Sequence, residues 1–142
     1  MDLTGYLRYV AAFNSQDWDL VHREFYAEDF RAEFPIAKLA SGAESLAWFH
    51  KAHEALFETL VPLEIEIAED GRSIAAALQV QFIALGDTAF MPGLNPARAG
   101  DAANVPMTVM YEIDEHDRIT RIDVAITGRP TIFRLTSAGA LA

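Results

Sequence analysis

Cysteine is absent from this chain of 142 residues. Its absence excludes disulfide bonds, a thiolate nucleophile and a cysteine-based metal site, and nothing in the chain requires an oxidising compartment. Basic residues are also few: 11 Lys and Arg stand against 21 Asp and Glu, which gives a formal net charge of −10. A surface of that sign repels phosphate backbones, so the sequence predicts no nucleic-acid partner.

Long apolar runs are missing as well. No apolar stretch reaches the roughly 18 residues that indicate a transmembrane helix. Residues 1–10 also lack a basic segment followed by an apolar run, which is the pattern of a signal peptide. The sequence therefore predicts no membrane partner and a cytoplasmic location.

Motifs for common cofactors are absent too. The chain has no G-x-G-x-x-G, no P-loop and no G-x-S-x-G, so dinucleotide binding, ATP use and serine-hydrolase chemistry have no support. His50 and His53 lie one helical turn apart, but a metal site needs a third ligand and the H-E-x-x-H spacing is absent. We expect no cofactor and no metal.

The chain does contain enough apolar sequence for one core. Hydrophobic residues make up 51% of its positions, and a chain of this length is typical of one domain. We expect a single domain over residues 1–142. Residues 128–142 form a C-terminal tail, and the apolar side chains of Ile132, Phe133 and Leu135 predict that it docks on the domain as an irregular strand or arm.

Hydrophobic periodicity predicts the secondary structure. Apolar residues at three- and four-residue spacing predict three helices, at 4–14, 17–25 and 41–60. The N-caps expected for them are Thr4, Asp17 and Ser41. Alternating residues predict four strands, at 63–68, 73–85, 105–113 and 118–127. Glycine and proline residues predict a long loop at 86–104.

The order of these elements predicts the fold class. Residues 31–34 form a further short extended segment, because they precede Pro35. Helices that come before most of the strands are typical of an α+β fold. We therefore expect an antiparallel meander curled around the long helix 41–60, with one face of the sheet buried.

Three stretches of the chain resemble one known superfamily. They are FNSQDWDLVHREFYAEDFRAEFP (13–35), FMPGLNPARAG (90–100) and YEIDEHDRITRIDV (111–124). With the order of elements, they are similar to the nuclear transport factor 2-like superfamily over residues 4–127, and most to its SnoaL-like and ketosteroid isomerase-like proteins. The resemblance implies a cone, in which a curved mixed or antiparallel sheet wraps around the long helix and two short N-terminal helices close one end. Its interior would be a pocket for a small, largely apolar molecule.

The catalytic residues of these relatives carry over only in part. Tyr9 matches the tyrosine that the isomerase uses in its oxyanion hole. Phe34 and Val109 stand where the isomerase has its two catalytic carboxyl groups, so steroid isomerisation by that mechanism is not expected. SnoaL-type cyclases use an aspartate of the last strand as an acid/base group, and Asp123 lies near that position.

Two registers of the last hairpin give Asp123 opposite orientations. If Asp114 pairs with Arg118, Asp123 points into the cone, where apolar walls would favour an acid/base role. If the turn is one residue tighter, Glu112 pairs with Arg121 and Asp123 faces outward as a solvated charge. The sequence leaves both registers open.

His53 is a second candidate because it lies on the inner stripe of the predicted long helix. It is either an acid/base or ligand-orienting group of the pocket or a hydrogen-bonded core histidine. The predicted catalytic residues are therefore Asp123, His53 and Tyr9. The predicted substrate-binding residues are Trp18, Phe34, Phe49, Met107, Val109 and Tyr111.

Together these features predict a protein that binds a small hydrophobic molecule. As an enzyme it would be a cofactor-independent isomerase, cyclase or dehydratase that works by acid/base chemistry. The alternative is a non-catalytic ligand-binding or dimeric accessory module, since the carboxyl groups of the relatives are replaced. We expect a homodimer, because the sheet carries apolar residues on both faces, such as Val109 on one and Met110 on the other.

Overall fold

Three helices and a seven-stranded sheet are formed by residues 1–35 and 37–136, the part of the chain that a computed structural model describes. The helices are α1, Leu3–Asn14; α2, Trp18–Glu24; and α3, Gly42–Ala52. The strands are β1, Tyr26–Phe34; β2, Ala37–Leu39; β3, Leu56–Ile67; β4, Ser73–Ala84; β5, Asp101–Ile113; β6, Ile119–Ile126; and β7, Thr131–Arg134.

The sheet is mixed and open. Its strand order is β2-β1-β6-β5-β4-β3, and β7 lies alongside β5. β1 and β6 run parallel, and the other described pairs are antiparallel. The strands β3 to β6 are the predicted meander, and β1 extends the predicted segment 31–34 back to Tyr26. The α+β class with a mixed sheet is confirmed.

Short polar side chains set where the helices begin. The Asp2 carboxylate accepts a hydrogen bond from the Gly5 N–H, so Asp2 and not the expected Thr4 is the N-cap of α1. Asp17 caps α2 and Ser41 caps α3, as predicted. Within the described residues, no helix has the length and apolar character needed to cross a membrane.

The predicted helix 41–60 is wrong in its second half, because α3 ends at Ala52 and β3 begins at Leu56. Leu56 and Leu60 fit a helical stripe, but they also fit one face of a strand. β3 pairs with β4 from Leu56 opposite Ala84 onward, and this pairing satisfies the backbone hydrogen bonds along the segment. The sequence of this segment is compatible with both a helical and a strand periodicity, and pairing with β4 makes it a strand.

The inner face of the sheet forms the core with the helices. On β4, buried residues alternate with half-buried or exposed ones over the whole strand. The buried set includes Leu78, Val80 and Phe82. Its helical partners include Tyr9, on α1. This face therefore positions the residues that line the interior.

The C-terminal part adds one more strand. β7 pairs with the first residues of β5, so that β5 begins at Asp101, inside the predicted loop 86–104. The expected docking of the tail is confirmed for Thr131–Arg134. The rest of the predicted tail, residues 137–142, lies outside the described residues.

Candidate functional site

A cavity of about 100 Å³ lies between the inner face of the sheet and the helices. That volume is well above the roughly 10–15 Å³ that one water molecule needs. Most of its wall is aliphatic or aromatic, with contributions from helices, from strands β1 and β3 to β6, and from the loop before β5. The lining residues that carry hydroxyl, imidazole or carboxyl groups are Tyr9, Tyr26, Tyr111, His53 and Glu58.

His53 and Glu58 form a hydrogen-bonded pair in this wall. The imidazole Nε2 lies 2.8 Å from Glu58 Oε1, and Nδ1 lies 2.7 Å from the Phe49 carbonyl oxygen. The His53 side chain is 3% exposed and that of Glu58 is 17% exposed. A histidine and a carboxyl group in contact, largely shielded from water, are a typical acid/base arrangement.

The end of α3 and the start of β3 bring this pair together. His53 is the C-cap of α3, and Glu58 sits on β3 between Leu56 and Leu60, which also face the cavity. The buried Trp18 ring packs against the His53 ring, with 4.2 Å between the two ring centres. The imidazole is therefore fixed by two hydrogen bonds and by aromatic packing.

All four tyrosines of the chain meet beside the same cavity. The hydroxyl groups of Tyr9 and Tyr26 lie 2.8 Å apart, and the Tyr6 hydroxyl donates to that of Tyr111 at 3.1 Å. Burial raises the pKa of Tyr9 and of Tyr26 well above the ordinary value. These phenols keep their protons and act as hydrogen-bond donors.

Asp123 lies on the outer face of the sheet and does not line the cavity. Glu112 is opposite Arg121 and Asp123 is opposite Met110, so the second of the two predicted registers is the one observed. A bulge between Glu112 and Ile113 shifts the register and turns Asp123 outward. There the Asp123 carboxylate accepts a hydrogen bond of 2.8 Å from Arg121 Nε. Asp123, one of the three predicted catalytic residues, therefore faces away from the cavity.

Most of the predicted wall residues line the cavity. They are Phe34, Phe49, Met107, Val109 and Tyr111. Trp18 is the exception, because its ring stands behind His53 instead of facing the open volume. Four further residues of the wall were not predicted from the sequence: Glu58, Tyr26, Trp48 and Phe90. The alternation of Leu56, Glu58 and Leu60 would predict that Glu58 faces the interior of a strand-lined core. Because the segment was predicted as a helix, this alternation was not recognised.

A second histidine, His22, is half-buried near the cavity without lining it. His22 contacts the Trp18 carbonyl through Nδ1 at 2.7 Å and Ser45 Oγ through Nε2 at 2.8 Å. Burial lowers the pKa of His22 from its ordinary value. The contact joins α2 to α3 and supports the helices that carry the site.

The described residues offer no group of three or more His, Asp or Glu side chains arranged to hold a metal ion. The cavity wall that the structure describes also contains no Lys or Arg. The polar chemistry available there consists of one imidazole, one carboxyl group and three phenols.

An open mixed sheet that encloses an apolar interior with short helices is the cone fold of the nuclear transport factor 2-like superfamily. The chain belongs to the SnoaL-like domain family, whose profile matches residues 6–122. Membership in this family supports a role in binding small molecules. No curated protein matches the chain at a significant level.

Several solved structures share this fold. A proposed polyketide cyclase from Xanthomonas campestris pv. campestris is 20% identical with a TM-score of 0.72, over 87% of this chain and 88% of that one. Another from Pseudomonas putida KT2440 is 22% identical with a TM-score of 0.70, over 84% and 86%. The epoxide hydrolase/cyclase-like enzyme SalBIII, of salinomycin pyran ring formation, is 18% identical with a TM-score of 0.67, over 87% and 88%. At these identities the likeness establishes the fold.

Proposed function

We propose that this protein binds a small hydrophobic molecule in the cavity and acts on it by acid/base chemistry without a cofactor. The observation that carries the proposal is the convergence of His53 and Tyr9 on one cavity whose other walls are mostly apolar. Electrostatic and hydrogen-bonding groups act more strongly in such surroundings than in water. Isomerases, cyclases and dehydratases fit this set of groups.

The two kinds of polar group have different roles in the proposal. The Tyr9–Tyr26 pair contains two hydroxyl hydrogens but only one contact between its oxygens, so one hydrogen remains for a ligand oxygen. That donor would polarise a carbonyl group. His53, at another part of the same wall, would exchange a proton with the bound molecule.

Ring closure is the first reaction class to test. Two of the structural neighbours are proposed polyketide cyclases, and a third is a cyclase-like enzyme of pyran ring formation. Ring closure within one molecule requires protons to move but no redox cofactor. The groups of this cavity suit that requirement.

A non-catalytic ligand-binding module is the second candidate. The observation that favours it is that Phe34 and Val109, which occupy the positions of the isomerase carboxyl groups by resemblance, are part of the apolar wall. A cavity can bind without catalysing when its polar groups only orient the ligand. A computationally designed 17-OHP binder shares the fold at 15% identity and a TM-score of 0.71.

Binding is tested with a neutral apolar probe, 2-tetralone, by isothermal titration. Ile126 lines the cavity and is 40% exposed, so Ile126→Trp narrows the opening and should weaken binding by roughly tenfold. Ala125→Trp is the matched control, because the neighbouring position on β6 is exposed and does not line the cavity. Equal affinity of both variants and the wild type would place the binding elsewhere.

We also propose that the protein is a homodimer and that it is located in the cytoplasm. A homodimer through the outer face of the sheet is supported by exposed apolar side chains on two of its strands, Val61 on β3 and Met110 on β5. A cytoplasmic location is supported by the lack of cysteine, since nothing requires an oxidising compartment.

A further inference from the structure

Both ring nitrogens of His53 face oxygen atoms that accept hydrogen bonds. The Phe49 carbonyl oxygen, 2.7 Å from Nδ1, can only accept, so Nδ1 carries a hydrogen. A neutral imidazole with its hydrogen on Nδ1 presents a lone pair at Nε2. Glu58 Oε1 lies 2.8 Å from that nitrogen, and an ionised carboxylate also presents only lone pairs.

The contact between Nε2 and Oε1 therefore requires one further proton. The proton resides either on Nε2, as an imidazolium beside a carboxylate, or on Oε1, as a carboxylic acid beside a neutral imidazole. Without it, two lone pairs would face each other in a contact largely shielded from water. In both forms the pair has no net charge, which explains how Glu58 lies in this wall without a Lys or Arg beside it.

We propose that Glu58 is a catalytic residue of the cavity and that it shares with His53 one exchangeable proton, which the pair delivers to an oxygen atom of a neutral bound molecule. The existence of the bound molecule rests on the function proposed above. The shared proton does not, because it follows from the geometry of the protein alone.

The proton transfer balances within one reaction cycle. The N–H or O–H bond of the pair breaks, and a new O–H bond forms on a carbonyl or hydroxyl oxygen of the substrate. The pair is left as a neutral imidazole and a carboxylate, with one negative charge. It recovers a proton from a C–H or O–H group of the same molecule, so isomerisation and ring closure need no co-reactant.

The same geometry narrows the class of substrate. The described wall offers the one free hydroxyl hydrogen of the Tyr9–Tyr26 pair and the proton of the His53–Glu58 pair, but no side chain with a permanent positive charge. Burying an anion without a counter-charge is unfavourable. A neutral molecule with a carbonyl or hydroxyl oxygen and otherwise apolar surface is therefore the expected substrate.

The proton count is measured by nuclear magnetic resonance in the ligand-free protein at neutral pH. Nitrogen shifts of the His53 ring and the carboxyl carbon shift of Glu58 should show either a doubly protonated ring with an ionised carboxylate or a singly protonated ring with a protonated carboxyl group. In Glu58→Gln the amide donates to Nε2, and the ring should be singly protonated. A singly protonated ring beside an ionised Glu58 overturns the proposal.

The catalytic role is measured as deuterium uptake at the α-carbon of 2-tetralone in heavy water. The wild type should take up deuterium into the ketone faster than buffer alone does. Glu58→Gln should lower that rate by about 100-fold, as the loss of an acid/base group does. Glu66→Gln is the control, because Glu66 lies exposed on the same strand and outside the cavity wall. It should retain the full rate.

These measurements test the binding proposal and the proton-transfer proposal independently. If the ketone binds to the wild type without any acceleration of uptake, the catalytic role of Glu58 is overturned and the binding proposal stands. If Glu58→Gln binds the ketone and retains the wild-type rate, Glu58 is not the acid. A reduced rate with unchanged affinity supports the proposal, since a purely structural role would change both.

Discussion

The side-chain pairs His53–Glu58 and Arg121–Asp123 have the same nitrogen–oxygen separation, 2.8 Å, and differ in burial. His53 and Glu58 are 3% and 17% exposed, whereas Arg121 and Asp123 are 43% and 39% exposed. Removing one partner of a buried pair costs about 3–5 kcal/mol, because the other is left without compensation. An exposed pair contributes about 0–1 kcal/mol. The cavity pair should therefore show the larger coupling.

Double-mutant cycles measure that coupling. His53→Leu and Glu58→Leu should each destabilise by about 3 kcal/mol, and the double variant by clearly less than the sum, with a coupling energy of about 2–3 kcal/mol. Loss of the His53 ring leaves the Phe49 carbonyl satisfied, because the His53 backbone N–H also donates to it at 3.1 Å. The singles therefore report on the side-chain pair.

The assay is urea denaturation followed by circular dichroism, with free energies of unfolding from linear extrapolation. The same cycle with Arg121→Leu and Asp123→Leu is the control at equal separation. If the coupling at His53–Glu58 is no larger than at Arg121–Asp123, the two side chains do not act as a unit, and the argument for a shared proton loses its basis.

Two further predictions concern stability and assembly. Burial lowers the pKa of His22 below its ordinary 6.5, so the unfolded chain takes up the proton first as the pH falls. The contribution of neutral His22 to the free energy of unfolding should be fully present above about pH 6.5. It should decrease as the pH falls from there toward the lowered pKa, by at most about 1.4 kcal/mol per pH unit. His22→Asn should flatten that decrease in denaturation curves, whereas exposed His116→Asn should not. Met110→Glu places a charge on the outer face of the sheet, and light scattering should show that it converts the dimer to monomers. Leu7→Glu, at an exposed position of α1, should leave the measured mass unchanged. A monomeric wild type contradicts the proposed dimer.

Elements whose local pattern agrees with their tertiary partners were predictable from the sequence. β4 spans Ser73–Ala84, and the sequence predicts it at 73–85, because its alternation matches a strand that has the core on one face and neighbours on both edges. The two N-terminal helices follow from their apolar stripes and, for α2, from its Asp17 cap. In these segments no second period competes with the observed one.

The site was predictable only where its residues lie on such unambiguous elements. Tyr9 follows from the apolar stripe of α1, and Met107 and Val109 from the alternation of β5. The side of Asp123 depends on a bulge, which a single sequence does not specify. Glu58 was hidden because its segment fits both a helix and a strand.

The segment that the sequence wrongly predicts as helical also carries both members of the His53–Glu58 pair. Had α3 continued to residue 60, His53 and Glu58 would lie five positions apart on one helix, where side chains do not face each other as they do at three or four positions. Instead, α3 ends at Ala52, β3 begins at Leu56 and pairs with β4, and Glu58 Oε1 lies 2.8 Å from the imidazole. Strand pairing with β4 therefore overrides the local helical period, and the resulting arrangement brings the two side chains together.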